Sequence, residues 1–185
     1  DNRVLITGAS SGIGAQLAKQ FAASGARLLL VARREDRLRA IQAEFDSTEI
    51  NVLDGDITSA DFRQQIVSWV DSNWSGLDVL VNNAGVGSVK PFAESDENCL
   101  REIFEVNFFA PVELTRALMP RLQDQTAPTI VNVGSVLGHF SAAGKSEYCA
   151  SKFALHGFSD ALYAELYAAG IHVFLVSPST TRSEF

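Results

Sequence analysis

Short aliphatic and β-branched runs recur along the chain, at Val4 to Ile6, Arg27 to Val31, Ile50 to Leu53, Val79 to Val81, Thr129 to Val133 and Ile171 to Val176. They are nearly continuous in hydrophobicity, the pattern of strands covered on both faces rather than of strands with one wet side. Between them apolar positions return with helical spacing, which predicts helices over Ile13 to Ala23, Asp36 to Phe45, Ala60 to Val70, Glu97 to Leu122 and Tyr148 to Ala168. Strand and helix therefore alternate throughout. That order calls for parallel strands joined by right-handed helical crossovers, an α/β doubly wound parallel sheet with helices on both faces. Ligands in such sheets bind beyond the carboxyl ends of the strands, where the winding reverses, so functional residues are expected just after strands.

Punctuation agrees with this segmentation. Gly25, Gly76 and Gly170 stand where a helix ends and the next strand begins. Pro120 is expected to close the segment that starts near Glu97, and Asn107 is an unexpected polar interruption inside it. There is no internal repeat, linker or low-complexity tract. The last run ends at Val176, and a sheet edge left open there would invite pairing between molecules. We therefore expect the protein to continue past Phe185 with a lid, starting at Pro178 to Phe185, and at least one further strand.

Composition narrows the choice of function. The 185 residues, 46% hydrophobic and 20% charged, suit one soluble domain over residues 1–185. A formal net charge of -7 leaves no basic face for nucleic acid or an anionic membrane, so neither is an expected partner. Cys99 and Cys149 are far apart and fit neither a disulfide framework nor a zinc site, and no metal is expected. No apolar run is long enough to span a bilayer. Together these features suggest a cytoplasmic protein in a reducing compartment.

Three clusters carry chemistry. The first run leads into Thr7-Gly-Ala-Ser-Ser-Gly-Ile-Gly14 and then a helix. Glycines at 8, 12 and 14 allow a tight turn and close approach to a pyrophosphate, and the helix amides favour the anion. The spacing differs from the general G-x-G-x-x-G fingerprint, and an ordinary strand-to-helix turn would also use glycine. Asn82-Asn-Ala-Gly85 follows the fourth run. Its amides suit pinning of neighbouring strands and its small residues suit a flat ligand, although Asn and Gly are also common in turns. The third cluster is Ser135 after the fifth run, with Tyr148 and Lys152 four apart and hence on one helix face. A free tyrosine, with a pKa of about 10, is a poor acid-base catalyst near neutrality unless a cation stabilises its phenolate. Lys152 can supply that charge, whereas the bland alternative is an amphipathic rim with a snorkelling lysine.

After the second run, the place where an NAD site carries an acidic residue is occupied by Ala32 and followed by Arg33 and Arg34. A guanidinium grips a 2′-phosphate through paired charge-assisted hydrogen bonds, which points to NADP(H), with Arg33 the stronger candidate.

Taken together, the T-G-x-x-x-G-x-G, N-N-A-G and Y-x-x-x-K patterns at Thr7 to Gly14, Asn82 to Gly85 and Tyr148 to Lys152 resemble the short-chain dehydrogenase/reductase family, from Arg3 to Phe185. The resemblance implies a single-domain Rossmann-like fold and hydride transfer between a nicotinamide cofactor and a small-molecule carbonyl or alcohol. In that reading Tyr148 is the proton donor, Lys152 also contacts the cofactor ribose, Ser135 hydrogen-bonds the substrate oxygen and Asn107 anchors a water relay to Lys152. The cofactor lies on Thr7, Gly8, Ser10, Ser11, Gly12, Ile13, Gly14, Asn82, Ala84 and Gly85, with Asp56 and Ile57 on the adenine side. After the sixth run the family's Pro-Gly and later Thr are here Pro178-Ser179 and Ser183, and Pro178, Ser179 and Thr181 are placed at the nicotinamide carboxamide. A homodimer or homotetramer is implied through long helices at about Cys99 to Leu122 and Ser146 to Ala168.

Other tempting residues read more simply as structure. His139 is a wall or surface residue, Cys149 a small packed hydrophobe, and Phe104, Phe108 and Phe109 a core or subunit contact. A scaffold that binds NADP(H) without turnover, as a sensor, is the alternative function, since fold alone does not establish activity.

Overall fold

The computed structural model of the protein describes residues 2–123 and 125–179. Six strands, β1 (Arg3–Thr7), β2 (Arg27–Ala32), β3 (Ile50–Asp54), β4 (Val79–Asn82), β5 (Thr129–Val133) and β6 (His172–Val176), form one parallel sheet in the order β3-β2-β1-β4-β5-β6. The helices are α1 (Gly12–Ala23), α2 (Glu35–Gln42), α3 (Ala60–Asn73), α4 (Glu97–Phe104), α5 (Ala110–Gln123) and α6 (Ser146–Leu166). Winding runs outward from β1 to β3, then jumps back to β4 and runs the other way, so the reversal lies between β1 and β4.

Each central strand is buried on both faces because its side chains alternate between two apolar layers. Leu5 of β1 and Leu29 and Val31 of β2 pack with Phe62, Ile66 and Val70 of α3 and Leu114 and Leu118 of α5. Val4, Ile6, Leu28 and Leu30 face the other way, onto Ala18 and Ala22 of α1 and Leu38 and Ile41 of α2. The continuous runs in the sequence are this double coverage. Gly25 and Gly170 end their helical segments with φ of 81° and 71°, as the punctuation predicted. Among the described residues no helix is long and apolar enough to cross a membrane.

Two details depart from expectation. The segment from Glu97 is not one regular helix, because a π-helical turn, Glu105–Phe109, joins α4 to α5. The turn places Asn107 fully inside, where its Oδ1 accepts from the Val86 N–H (2.8 Å) and its Nδ2 donates to the Val86 carbonyl (2.9 Å). An inserted residue of this kind re-aims a side chain that ideal helical spacing would misdirect. Pro120 does not close the segment, since α5 continues through it to Gln123. A proline removes the bond to the carbonyl one turn earlier, that of Arg116, and the burial of Leu118 and Leu122 in the core on either side of Pro120 opposes that loss.

The reversal point is held by a clasp. The Thr7 hydroxyl, at the end of β1, accepts from the Asn83 N–H (3.0 Å) and the Ala84 N–H (3.1 Å) just past β4, and donates to the Val81 carbonyl (3.3 Å). In return the Asn83 amide donates to the carbonyls of Thr7 (3.0 Å) and Gly8 (3.1 Å). Thr7→Val keeps the volume but strands two backbone donors, so we predict a loss of about 2 kcal/mol. Thr7→Ser, which keeps the hydroxyl and loses one methyl, should cost about 1 kcal/mol or less. Urea unfolding of the two variants checks this, and equal stabilities would contradict it.

Candidate active site

The clasp brings two glycine-bearing loops together over the carboxyl ends of β1 and β4. Gly8 has a φ of 65°, and a Cβ there would stand 2.7 Å from the Ala84 Cα. A Cβ on Gly14 would run into the Gly8 carbonyl and the Asn83 amide. These glycines therefore let the start of α1 sit directly on the loop it follows. Ser11 precedes α1 without capping it through its side chain, and there is no acidic residue in the first turn. The helix thus presents its first amides, with Gly12 and Ile13, toward the crevice, the arrangement that accepts a phosphate or pyrophosphate. Ser10 and Ser11 face sideways, since the Arg34 guanidinium donates to Ser10 Oγ (3.2 Å) and Ser11 Oγ (2.8 Å).

Arg33 is exposed beside this edge, where its charge reaches Asp56. The Asp56 carboxylate accepts from the Thr58 N–H (2.9 Å) and hydroxyl (2.8 Å). The Thr58 backbone bond chiefly holds Asp56 below the usual carboxylate range, with smaller help from Arg33. Ile57, next along, is buried in the core. Arg33, Arg34, Asp56 and Ile57 thus gather at one end of the crevice, past β2 and β3.

At the other end, Ser135 follows β5 and caps a short turn, Val136–Gly138, by accepting from the Leu137 N–H (3.1 Å). Tyr148 and Lys152 lie on α6, both buried. Burial pushes the Tyr148 phenol up from its ordinary value, and a hydrogen bond with the Ser135 hydroxyl works in the opposite direction. Ser135 and Tyr148 are therefore already paired. Lys152 donates to the Val133 carbonyl (3.0 Å), and its Nζ stands 5.8 Å from the centre of the Tyr148 ring. Burial lowers the Lys152 ammonium to about 8. It is thus mostly charged at neutral pH while close to losing its proton.

Behind these groups runs a buried polar chain. Asn107 Nδ2 donates to Ser151 Oγ (3.0 Å), and Ser151 donates to the Tyr148 carbonyl (2.8 Å), so the π-helical turn is tied to the residue beside Lys152. Asn82 Nδ2 donates to Asn132 Oδ1 (2.8 Å) and Thr115 Oγ1 (3.0 Å), and Asn132 Nδ2 donates to Ser159 Oγ (2.9 Å) on α6. The amides do pin neighbouring strands, as their composition suggested. Past β6, the Pro178 carbonyl accepts from the Val136 N–H (3.0 Å), which brings Pro178 and Ser179 next to the Ser135 turn. Thr181 and Ser183 lie outside the described residues.

Thr7, Gly8, Ser10, Ser11, Gly12, Ile13, Gly14, Asn82, Ala84 and Gly85 thus border the reversal point, with the arginines on one side and Ser135, Tyr148 and Lys152 on the other. Thr7 stands there as the clasp, its hydroxyl engaged with backbone. Sequence reasoning missed Thr115, Asn132, Ser151 and Ser159. Asn132, a polar residue inside an otherwise apolar strand, was the readable signal among them.

Comparison with known proteins agrees in extent with this geometry. The family profile described as short chain dehydrogenase matches residues 2–185. A Dictyostelium discoideum protein, dehydrogenase/reductase SDR family protein 7-like, is 36% identical over 191 residues, covering 98% of this chain and 60% of that protein. The chain thus spans about 60% of that relative's length. A short chain dehydrogenase of Shigella flexneri solved with NADP aligns with a TM-score of 0.91 at 31% identity, covering 100% of this chain and 79% of that one. A 4-hydroxyisoleucine dehydrogenase solved with NADH aligns with a TM-score of 0.91 at 26% identity, covering 100% and 75%.

The buried ammonium has a consequence for stability. Below pH 8 both folded and unfolded chains hold the Lys152 proton, and the cost of burying that charge, about 3 kcal/mol for such a shift, is fully present. Between pH 8 and about 10.4 only the unfolded chain keeps the proton, so this cost fades as pH rises. Lys152→Met, which removes the charge but also the bond to Val133, should therefore stabilise the fold at pH 7 by about 1–2 kcal/mol. The gain should shrink toward pH 10. Chemical unfolding at both pH values checks it, and a variant less stable at pH 7, or a gain independent of pH, would contradict it.

Proposed function

Given that this chain belongs to the short-chain dehydrogenase/reductase family, we propose that it is an NADP(H)-dependent oxidoreductase acting on a carbonyl or secondary alcohol, with Tyr148 as general acid/base. The observation that supports this most is the pairing of Ser135 with Tyr148 over a buried, charged Lys152, opposite a glycine loop whose helix amides are uncapped. The nicotinamide, when bound, supplies or accepts the hydride. Every other part of the reaction belongs to this chain's own side chains.

In the direction of reduction, the substrate carbonyl oxygen lies between the Ser135 hydroxyl and the Tyr148 phenol and accepts from both. As negative charge develops on that oxygen, Ser135 strengthens its hydrogen bond and Tyr148 gives up its proton. The phenolate left behind is the costly species, because burial disfavours it. Lys152 offsets that cost as a cation held 5.8 Å from the ring centre by its bond to Val133. Asn107 and Ser151 fix the α6 backbone at Tyr148, so that both side chains keep their aim. Oxidation of an alcohol follows the same path backwards, with the phenolate as base.

Cofactor choice follows from the other end of the crevice. Ala32 offers no carboxylate to a ribose hydroxyl, while Arg33 and Arg34 bring two guanidinium groups to where a 2′-phosphate would lie. Arg34 is already oriented by Ser10 and Ser11, so we assign it a share equal to that of Arg33. The relative solved with NADP supports this choice. The half-exposed rings of Phe109 and Phe153, on α5's approach and α6, support assembly as a homodimer or homotetramer.

A panel of aldehydes, ketones and alcohols with NADPH or NADP+ tests the reading, and cofactor binding without turnover of any of them would contradict it. Tyr148→Phe should lower kcat by about a thousandfold while NADPH affinity changes by less than about twofold. Retained turnover would remove Tyr148 from its role. Arg33→Ala and Arg34→Ala should each cut the NADPH to NADH ratio of kcat/KM by about tenfold or more, the worth of one charge-assisted contact. A wild-type preference for NADH would refute the cofactor assignment.

A further inference from the structure

Two histidines outside the catalytic group lie against each other, tilted by 57°, behind the Ser135 turn. His139 ends that turn and His156 lies on α6 one helical turn beyond Lys152, with ring centroids 4.2 Å apart. His139 Nε2 hydrogen-bonds Ser177 Oγ (2.8 Å), in the segment after β6. His156 Nδ1 meets the Gly138 carbonyl (3.1 Å), and its Nε2 meets the Asp160 carboxylate (3.2 Å). Three separate elements are thus stitched by two rings: the turn that carries Ser135, the helix that carries Tyr148 and Lys152, and the segment leading into Pro178.

The stitching leaves little slack. A Cβ on Gly138 would stand 2.8 Å from the Lys152 carbonyl, so the turn lies directly on the α6 backbone. The Gly138 N–H donates to the Ser135 carbonyl (2.9 Å), and Val136 is tied to Pro178. A shift of His139 is therefore passed to Ser135 through a turn of four residues.

We propose that His139 and His156 act as a brace, with His156 a positioning residue that fixes the Ser135 turn against α6 and against the segment after β6. This rests on the reading that Ser135 takes part in the reaction. The chemistry of the two partners sets the protonation of the brace. A carbonyl only accepts, so His156 Nδ1 carries a proton. A carboxylate also only accepts, so the bond to Asp160 is complete when Nε2 carries one too. The charged group that meets the pair is Asp160 on α6, and each imidazole faces the other. The segment after β6 presents the Ser177 hydroxyl.

The test uses wild type, His156→Gln and Asp160→Asn. Asp160 is largely exposed, so its variant keeps the fold even if His156→Gln does not. Three readouts are compared. Nitrogen-15 NMR of the imidazoles should show the Nδ1–H form for neutral His156. Amide hydrogen exchange at Gly138 and His139 should be faster in both variants. The kcat/KM of Asp160→Asn should be about fivefold below that of wild type, the worth of one such bond, with the loss in kcat and KM unchanged. An Nε2–H form for neutral His156, unchanged exchange, or a loss carried by KM alone would overturn the brace. Absence of turnover in the wild type would instead overturn the catalytic reading, while the tautomer and exchange readouts would still decide on the brace.

Discussion

The structure depends first on the clasp between β1 and β4. A parallel doubly wound sheet must reverse its winding somewhere, and at that point adjacent strands feed loops that diverge to opposite sides. Without a tie the loops would part and the crevice between them would have no fixed floor. Here the Thr7 hydroxyl and the Asn83 amide bind the backbone of each other's loop. Glycines at 8 and 14 make the approach possible, because a Cβ on Gly8 would meet the Ala84 backbone and one on Gly14 would meet the Asn83 amide and the Gly8 carbonyl. The tie then extends sideways, from Asn82 on β4 to Asn132 on β5 and on to Ser159 of α6. One continuous line of polar contacts therefore fixes the distance between the loop that suits a phosphate and the helix that bears Tyr148 and Lys152.

That precision is costly in one place. Lys152 is buried, among the described residues its ammonium donates to the Val133 carbonyl alone, and burial draws its proton affinity down to about 8. A fold selected for stability alone would put a neutral side chain there. The cation is explained by the neighbouring phenol, whose ionised form burial also opposes. Two groups, each disfavoured when charged alone, are less disfavoured together, which is how a buried tyrosine can take part in proton transfer near neutrality.

Much of this was legible in the sequence. The apolar runs marked all six strands, most plainly β1, β2 and β4, which are covered on both faces, whereas β6 leaves Phe174 and Val176 exposed; Gly25 and Gly170 marked helix ends because only glycine takes left-handed backbone freely. The glycine loop, the Asn82 to Gly85 turn and the Tyr148/Lys152 pair were visible because their chemistry is local, within one turn or one helix face. What was hidden depends on contacts between distant parts of the chain. Asn107 stood out as polar, yet the π-helical turn that aims it leaves no compositional mark. Arg34 ranked below Arg33 until Ser10 and Ser11, more than twenty residues earlier, were found to orient it. His139 read as a lone loop histidine because its partner His156 is joined to it only by the packing of the turn on α6.

In the proposed reaction one site both holds NADP(H) and passes its hydride to a carbonyl carbon while Tyr148 protonates the oxygen. The most direct measurement uses NADPH deuterated at the transferable position of the nicotinamide, incubated with the protein and a carbonyl panel, with products analysed by mass spectrometry. The account predicts an alcohol carrying one deuterium on its carbinol carbon, formed by wild type and not by a protein lacking the Tyr148 hydroxyl. Labelled NADPH that binds in the crevice but leaves no deuterium in any product would contradict it.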